Sequence, residues 1–186
     1  MDNGTATRAL TGSLCYGHGM DHIESDRILV LTTGGTIDKL YFDALSEYKI
    51  GDTIVDRLFE RGRVTQPYRV EEVLRKDSLE LTDADRALIT HKVAEAPEHR
   101  IVITHGTDTM TVTAAALADI RGKTIVLVGA LAPARFSESD APFNLGMAFA
   151  CAQAAQPGVW ITMNGTVFPA AKVIKDREKG AFVTRA

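Results

Sequence analysis

Two hydroxyl-rich glycine turns, each directly behind a short β-branched apolar run, constrain the fold of this chain more than any other feature. Ile28-Leu29-Val30-Leu31 leads into Thr32-Thr33-Gly34-Gly35-Thr36-Ile37, and Ile101-Val102-Ile103 leads into Thr104-His105-Gly106-Thr107-Asp108-Thr109-Met110. A run of this kind reads as a buried parallel strand with its C-terminal loop. Strands are expected at 28–33, 69–74, 100–104, 124–129 and 158–163, with helices at about 50–61, 83–96, 108–121 and 141–155. Alternating β and α segments imply a parallel sheet with right-handed crossovers. The expected fold is α/β: a single doubly wound, flavodoxin-like parallel sheet flanked by helices. In such sheets ligands bind at the C-terminal strand ends, so the two glycine loops can bring Thr36, Thr107 and Asp108 to one pocket.

Several helix starts carry local signals. Thr82 followed by Asp85 resembles a capping box, and Pro142 suits a first turn capped by Ser139 or Asp140. Leu145, Ala148, Phe149 and Ala152 then repeat at helical spacing to make one apolar face. Residues 1–26 show no period and are rich in Gly, Thr, Ser, His and Asp. They are expected to form a mobile N-terminal extension before a domain at 27–186.

Length and charge narrow the function classes. The 186 residues fit one domain, and a formal net charge of −3 without a basic block argues against nucleic acid or a membrane surface as partner. No apolar run approaches the roughly 20 residues of a membrane span, and no secretory signal opens the chain. The two cysteines, Cys15 and Cys151, suggest no disulfide framework. A cytoplasmic location follows as the expectation. Asn3-Gly4-Thr5 and Asn164-Gly165-Thr166 fit the glycosylation sequon by chance on this reading. The five histidines form no recognisable metal-ligand pattern, and no metal or organic cofactor is implied.

The residues with chemical potential admit two readings each. Thr36 can cap the next segment or, with a base to take its proton, act as a nucleophile; spacing alone favours the cap. Gly34-Gly35 lacks the spacing of a dinucleotide fingerprint and the lysine of a phosphate loop. Asp108 can cap a helix beginning near 109 or bind a substrate ammonium, while Thr107 offers a hydroxyl and a backbone N–H to an oxyanion. His105 reads as a buried histidine bonded to backbone. Lys172 and Lys175 are either solvated or, held beside a carboxylate in a pocket, part of a proton-transfer chain.

Five segments taken in order resemble the bacterial-type L-asparaginase family over about 28–177. Thr33-Gly34-Gly35-Thr36-Ile37 is similar to its first signature and His105-Gly106-Thr107-Asp108-Thr109-Met110 to its second. Asp77-Ser78-Leu79-Glu80-Leu81-Thr82 resembles the substrate-binding segment between them. Val128-Gly129-Ala130 with Ala141-Pro142-Phe143-Asn144-Leu145 resembles the later loop and helix, and Met163-Asn164-Gly165-Thr166-Val167 through Lys175 the segment of the catalytic lysine. The resemblance implies that Thr36 is the nucleophile and that Tyr41, on the loop behind it, touches the Thr36 hydroxyl. It makes Thr107, Asp108 and Lys175 a second triad. It also assigns the substrate carboxylate to Ser78, the substrate ammonium to Asp108, and the reacting amide to the backbone around Thr107 and Ala130. It implies hydrolysis of L-asparagine to aspartate and ammonia through an acyl-threonine, in a homo-oligomer (dimer or tetramer).

Two departures qualify the resemblance. Family members continue into a second, smaller domain, whereas this chain stops at Ala186 after a polar run, Lys175–Gly180, read as a turn and short tail. A naturally short form with weaker hold on the substrate ammonium is the expectation. Leu79 stands where a polar side chain often helps hold the substrate, which favours asparagine over the larger glutamine. The alternatives are the amidase component of a tRNA-dependent amidotransferase and a non-catalytic amino-acid-binding domain. The first shares these motifs; the second has no need of the hydroxyl–lysine set.

Overall fold

The structure, a computed structural model, describes residues 26–42 and 47–185, with side chains except those of 41, 42 and 47. The N-terminal extension expected over 1–26 therefore lies outside the described residues, apart from its last one. Ten strands are present among the described residues: β1 Ile28–Gly34, β2 Lys39–Phe42, β3 Glu47–Ile50, β4 Tyr68–Lys76, β5 Arg100–Thr104, β6 Thr124–Val128, β7 Gly158–Met163, β8 Thr166–Pro169, β9 Val173–Asp176 and β10 Ala181–Thr184. Four helices accompany them: α1 Val55–Arg61, α2 Asp83–Glu95, α3 Met110–Ala116 and α4 Ala141–Ala154.

The central sheet runs β4-β1-β5-β6-β7-β8. Its first five strands pair in parallel, and β8 closes the edge antiparallel to β7. These five are the strands expected from the apolar runs, shifted by at most two residues at an end. Numbered among themselves they lie in the order 2-1-3-4-5, the doubly wound arrangement expected from the sequence.

Alternation along each strand builds two core layers. Ile28, Val30, Val102 and Val126 face one side, where Val55, Leu58 and Phe59 of α1 and Leu145, Ala148, Phe149 and Ala152 of α4 cover them. Leu29, Leu31, Ile101, Ile103, Ile125 and Leu127 face the other, under Ile89 and Val93 of α2 and Met110 and Ala114 of α3. Each Val, Leu, Ile, Met or Phe among them contributes about 1.5–3 kcal/mol on burial. Phe59 links the first layer to β4 and α4, its ring centroid 4.7 Å from those of both Tyr68 and Phe149.

Some local expectations need correction. The helix expected over 108–121 ends at Ala116, because Leu117, Ala118 and Ile120 each donate to the carbonyl three residues back and tighten the chain into turns. The helix expected from residue 50 begins only at Val55, since Ile50 belongs to β3. In the polar run Lys175–Gly180 the first two residues end β9 and the rest form the expected turn, while the supposed tail beyond it is β10, which pairs back on β9 as a hairpin. Val167-Phe168-Pro169 is edge strand β8, reached through Asn164 and Gly165 at φ 52° and 82°. An Asn-Gly pair with both φ positive is the usual two-residue hairpin turn. The capping box at Thr82 and Asp85 forms in both directions. Asp140 precedes α4 but makes no side-chain cap bond.

At the opposite end of the sheet from the glycine loops, Glu98 is completely buried and accepts from Arg27 at 2.8 and 3.0 Å and from Arg69 at 2.7 and 3.0 Å. Burial pushes its carboxyl up, but the two guanidinium groups outweigh burial and hold it at about 2, against an ordinary 4.5. A depressed carboxylate stabilises the fold at pH values above its unfolded pKa, and that contribution disappears as pH falls through the folded one. Glu98→Gln is therefore expected to cost about 2 kcal/mol at neutral pH and to flatten the loss of stability between pH 4.5 and 2. Urea midpoints across that range check it; parallel acid limbs for parent and variant would contradict it.

Candidate active site

Strand order reverses between β1 and β5, so the crevice at their C-terminal ends is the place where this fold binds ligands. The two glycine loops leave those two strands. Gly35 has φ 80°, and a Cβ there would stand 2.5 Å from the Gly106 amide nitrogen. Only glycine accepts both that angle and that contact. A Cβ on Gly106 would in turn stand 2.6 Å from the Ser78 Oγ. Three segments distant in sequence thus meet, with the Ser78 side chain packed directly on the Gly106 backbone. The loop after β6 joins them, because Gly129 approaches the carbonyl of His105 and the methyl of Thr107.

Around this meeting point the structure places most of the residues singled out above. Thr36 opens a 3-10 turn, Thr36–Asp38, and is half-buried. The cap position is Gly35, which has no side chain to offer, so Thr36 is not the cap that its spacing favoured. Ser78 opens a second 3-10 turn, Ser78–Glu80, held by a capping box between Asp77 and Glu80. It is 1% exposed, and its hydroxyl has no partner among the described residues. A buried hydroxyl left unpaired costs about 1–3 kcal/mol, which a ligand oxygen reaching Ser78 would recover. Leu79, beside it, is 66% exposed. Ala130 is buried directly behind Gly129.

Lys175 supplies the clearest chemistry. Strand β9 presents it, paired in register with Phe182 of β10, whose ring is buried in the second core layer. The Lys175 Nζ donates to Thr107 Oγ1 at 2.7 Å and to Asp108 Oδ1 at 2.8 Å. One oxygen of Asp108, Oδ1, is therefore engaged by the lysine, and the residue at the N-cap of α3 is Thr109. Because Thr107 Oγ1 accepts from Lys175, its own proton is left to donate elsewhere. Tyr41 belongs to β2, opposite Tyr48 of β3; its side chain lies outside the described residues.

His105 is fully buried, with Nδ1 on the Gly106 carbonyl at 2.7 Å and Nε2 on Thr113 Oγ1 at 2.8 Å. Burial pushes its pKa down to about 4, so the ring is neutral at physiological pH and serves the loop's structure. Among the described residues no group of three or more His, Cys, Asp or Glu side chains could hold a metal ion.

Three side chains support the site in ways the sequence reading did not assign. Asp140 accepts from the Leu131 and Ala132 amides at 3.0 Å, and Asn144 donates to the Gly129 carbonyl at 3.1 Å. Together they fix the loop that carries Ala130. Their i, i+4 spacing across Pro142 was the available signal. Asp38 is 1% exposed and accepts from the Ile54 amide at 3.0 Å. Burial pushes its carboxyl up, partly offset by bonds from Ile54 and Thr53.

Residues 27–182 match the family model described as Asparaginase, N-terminal. The L-asparaginase of Thermococcus kodakarensis is 34% identical over 164 residues, covering 83% of this chain and 49% of that protein. A glutamyl-tRNA(Gln) amidotransferase subunit from Pyrobaculum aerophilum is 38% identical over 138 residues, covering 70% of this chain and 33% of that protein. Among solved structures, the probable cytoplasmic L-asparaginase of Campylobacter jejuni superposes with a TM-score of 0.74 at 30% identity, over 86% of this chain and 53% of that one. The chain thus spans about half the length of these relatives, or less.

Proposed function

Since the chain belongs to the asparaginase family, we propose that residues 27–186 are its catalytic α/β domain and that the protein hydrolyses L-asparagine to L-aspartate and ammonia. The observation that carries this reading is the Lys175 ammonium within 2.8 Å of both Thr107 and Asp108, joining groups 67 and 68 residues apart in sequence. In the proposed reaction the Thr36 hydroxyl attacks the side-chain amide carbon while the Thr107 hydroxyl and neighbouring backbone N–H groups face the developing oxyanion. The C–N bond breaks, ammonia leaves with the added proton, and an acyl-threonine remains. Water, oriented by the Thr107–Lys175–Asp108 set, attacks the ester and restores Thr36. Ser78 is assigned the substrate carboxylate, Asp108 the substrate ammonium and Ala130 the amide, with Tyr41 adjoining the nucleophile. Neither metal nor organic cofactor enters this scheme.

The same proposal includes a homo-oligomer, dimer or tetramer, and a cytoplasmic location. Among the described residues no helix is long and apolar enough to cross a membrane. Sedimentation velocity tests the first statement and fractionation the second.

A second reading, the amidase component of a tRNA-dependent amidotransferase, draws on the relative named as a glutamyl-tRNA(Gln) amidotransferase component. The two differ in preferred amide. Leu79 presents an exposed apolar side chain beside the substrate's assigned carboxylate site and offers no hydrogen bond to a longer amide; selection by one methylene is worth about 10- to 200-fold where a site discriminates by size. The purified chain is expected to release ammonia from asparagine at least about tenfold faster than from glutamine. Glutamine turned over faster would favour the amidotransferase reading, and no release from either amide with retained aspartate binding would favour an amino-acid-binding domain.

A further inference from the structure

The turn bearing Thr36 is braced by two residues that the proposed reaction does not use. Asp38 ends that turn, and its carboxylate accepts from the Ile54 amide at 3.0 Å while its carbonyl oxygen accepts from the Gly51 amide at 2.9 Å. Those donors lie where β3 has ended and α1 begins. One buried residue therefore joins the Thr36 turn, the β2–β3 hairpin and the start of α1. Its neighbour Lys39 reaches the other way, with Nζ 2.8 Å from Asp77 Oδ2. Asp77 is the N-cap of the Ser78 turn and accepts from the Leu79 amide at 3.1 Å. Backbone contact between the same regions, from Gly35 N to the Lys76 carbonyl at 3.2 Å, supports the ion pair.

We propose that Asp38 and Lys39 are positioning residues: Asp38 fixes the Thr36 turn against the hairpin and α1, and Lys39 ties that turn to the one carrying Ser78. The proposal rests on the assigned roles of Thr36 and Ser78. It separates the two effects, because Asp38 adjoins the nucleophile's turn and Lys39 grips the cap of the carboxylate-binding turn. A misplacement near 1 Å at a reacting group costs on the order of 100-fold in rate. The Lys39–Asp77 pair is about 30% exposed on each side; screening limits its effect to a few-fold. A further ion pair at the same end of the hairpin, Arg75 of β4 with Asp52 at 2.8 Å, is far more exposed and adds less.

The test uses Asp38→Ala, Asp38→Asn and Lys39→Met in the full chain, with steady-state ammonia release from asparagine and amide hydrogen exchange at Gly51 and Ile54. Asp38→Ala is expected to lower kcat by about 30-fold with KM within about twofold. Asp38→Asn should recover most of that loss, since its amide oxygen still accepts from Ile54. Lys39→Met should raise KM about threefold with little change in kcat. Exchange at Gly51 and Ile54 should quicken by about tenfold in Asp38→Ala and stay near the parent rate in Asp38→Asn. Unchanged kcat in Asp38→Ala, failure of Asn to rescue it, or unaltered exchange overturns the role of Asp38. Unchanged KM in Lys39→Met overturns that of Lys39, and this variant carries the test should Asp38→Ala not fold. A parent chain inactive on asparagine removes the hydrolase reading itself, whereas exchange at the two amides still decides whether Asp38 braces the turn.

Discussion

Thr36→Ala is expected to reduce asparagine turnover by at least about a thousandfold while changing stability by less than about 1 kcal/mol. The two halves of that expectation come from different features of the site. Removing the hydroxyl removes the only atom of this side chain that can form the acyl bond, and the remaining groups would then act on an amide with no nucleophile beside it. The fold should hardly respond, because Thr36 is half-buried and the cap position of its turn belongs to Gly35. Thr36→Ser, which keeps the hydroxyl and loses a methyl group, should retain measurable turnover. Ammonia release, thermal midpoints and aspartate affinity on the three proteins make the check. Alanine activity within tenfold of the parent would remove Thr36 from the role of nucleophile.

Much of the scaffold was legible because its signals are local. A strand buried on both faces is apolar along most of its length, and the runs at 28–33, 100–104 and 124–129 are short, β-branched and bounded by glycine loops or turns, which favours strand over helix. Thr82 and Asp85 lie three residues apart and satisfy each other, so their capping box could be recognised from spacing. The short antiparallel pieces were missed for the opposite reason. Strands β2 and β3, and β9 and β10, have four residues each and are paired only with each other. Their apolar pattern is too brief to distinguish from a loop. The Asn164-Gly165 pair does carry a local hairpin signal, masked because the same residues also spell a sequon.

The site divides along the same line. Glycines and hydroxyls at the ends of β1 and β5 mark the crevice in the sequence, because loop position follows from strand position. Lys175 had no such marker. Its significance depends on a partner 67 residues away, and only the order of five motifs indicated the pairing. Asp38 is less legible still. A carboxylate two residues after Thr36 looks like a solvated turn residue until the fold brings Gly51 and Ile54 against it. Local chemistry fixes what a side chain can do, and the tertiary fold decides which of those things it does.

Lys175→Met is expected to lower asparagine turnover by about 100- to 1,000-fold, within the usual contribution of a positioned proton-transfer group. Methionine keeps most of the length and the apolar stem of lysine but cannot donate, so Thr107 loses the bond that orients its hydroxyl and Asp108 loses its counter-charge. The Asp108 side chain is 34% exposed, and water can solvate the released carboxylate. The stability cost should therefore stay near ~1 kcal/mol. Lys175→Arg should fail to restore the rate: a planar guanidinium is longer and cannot place one nitrogen within hydrogen-bond distance of both partners as the ammonium does. The decisive measurement is the double variant. If Thr107, Asp108 and Lys175 act as one unit, Asp108→Asn adds little to the loss already caused by Lys175→Met. Independent groups would instead multiply their losses. Multiplicative losses would show that the lysine and the carboxylate act separately, and near-parental turnover in Lys175→Met would reduce the ammonium contact to a structural tie between β9 and the loop after β5.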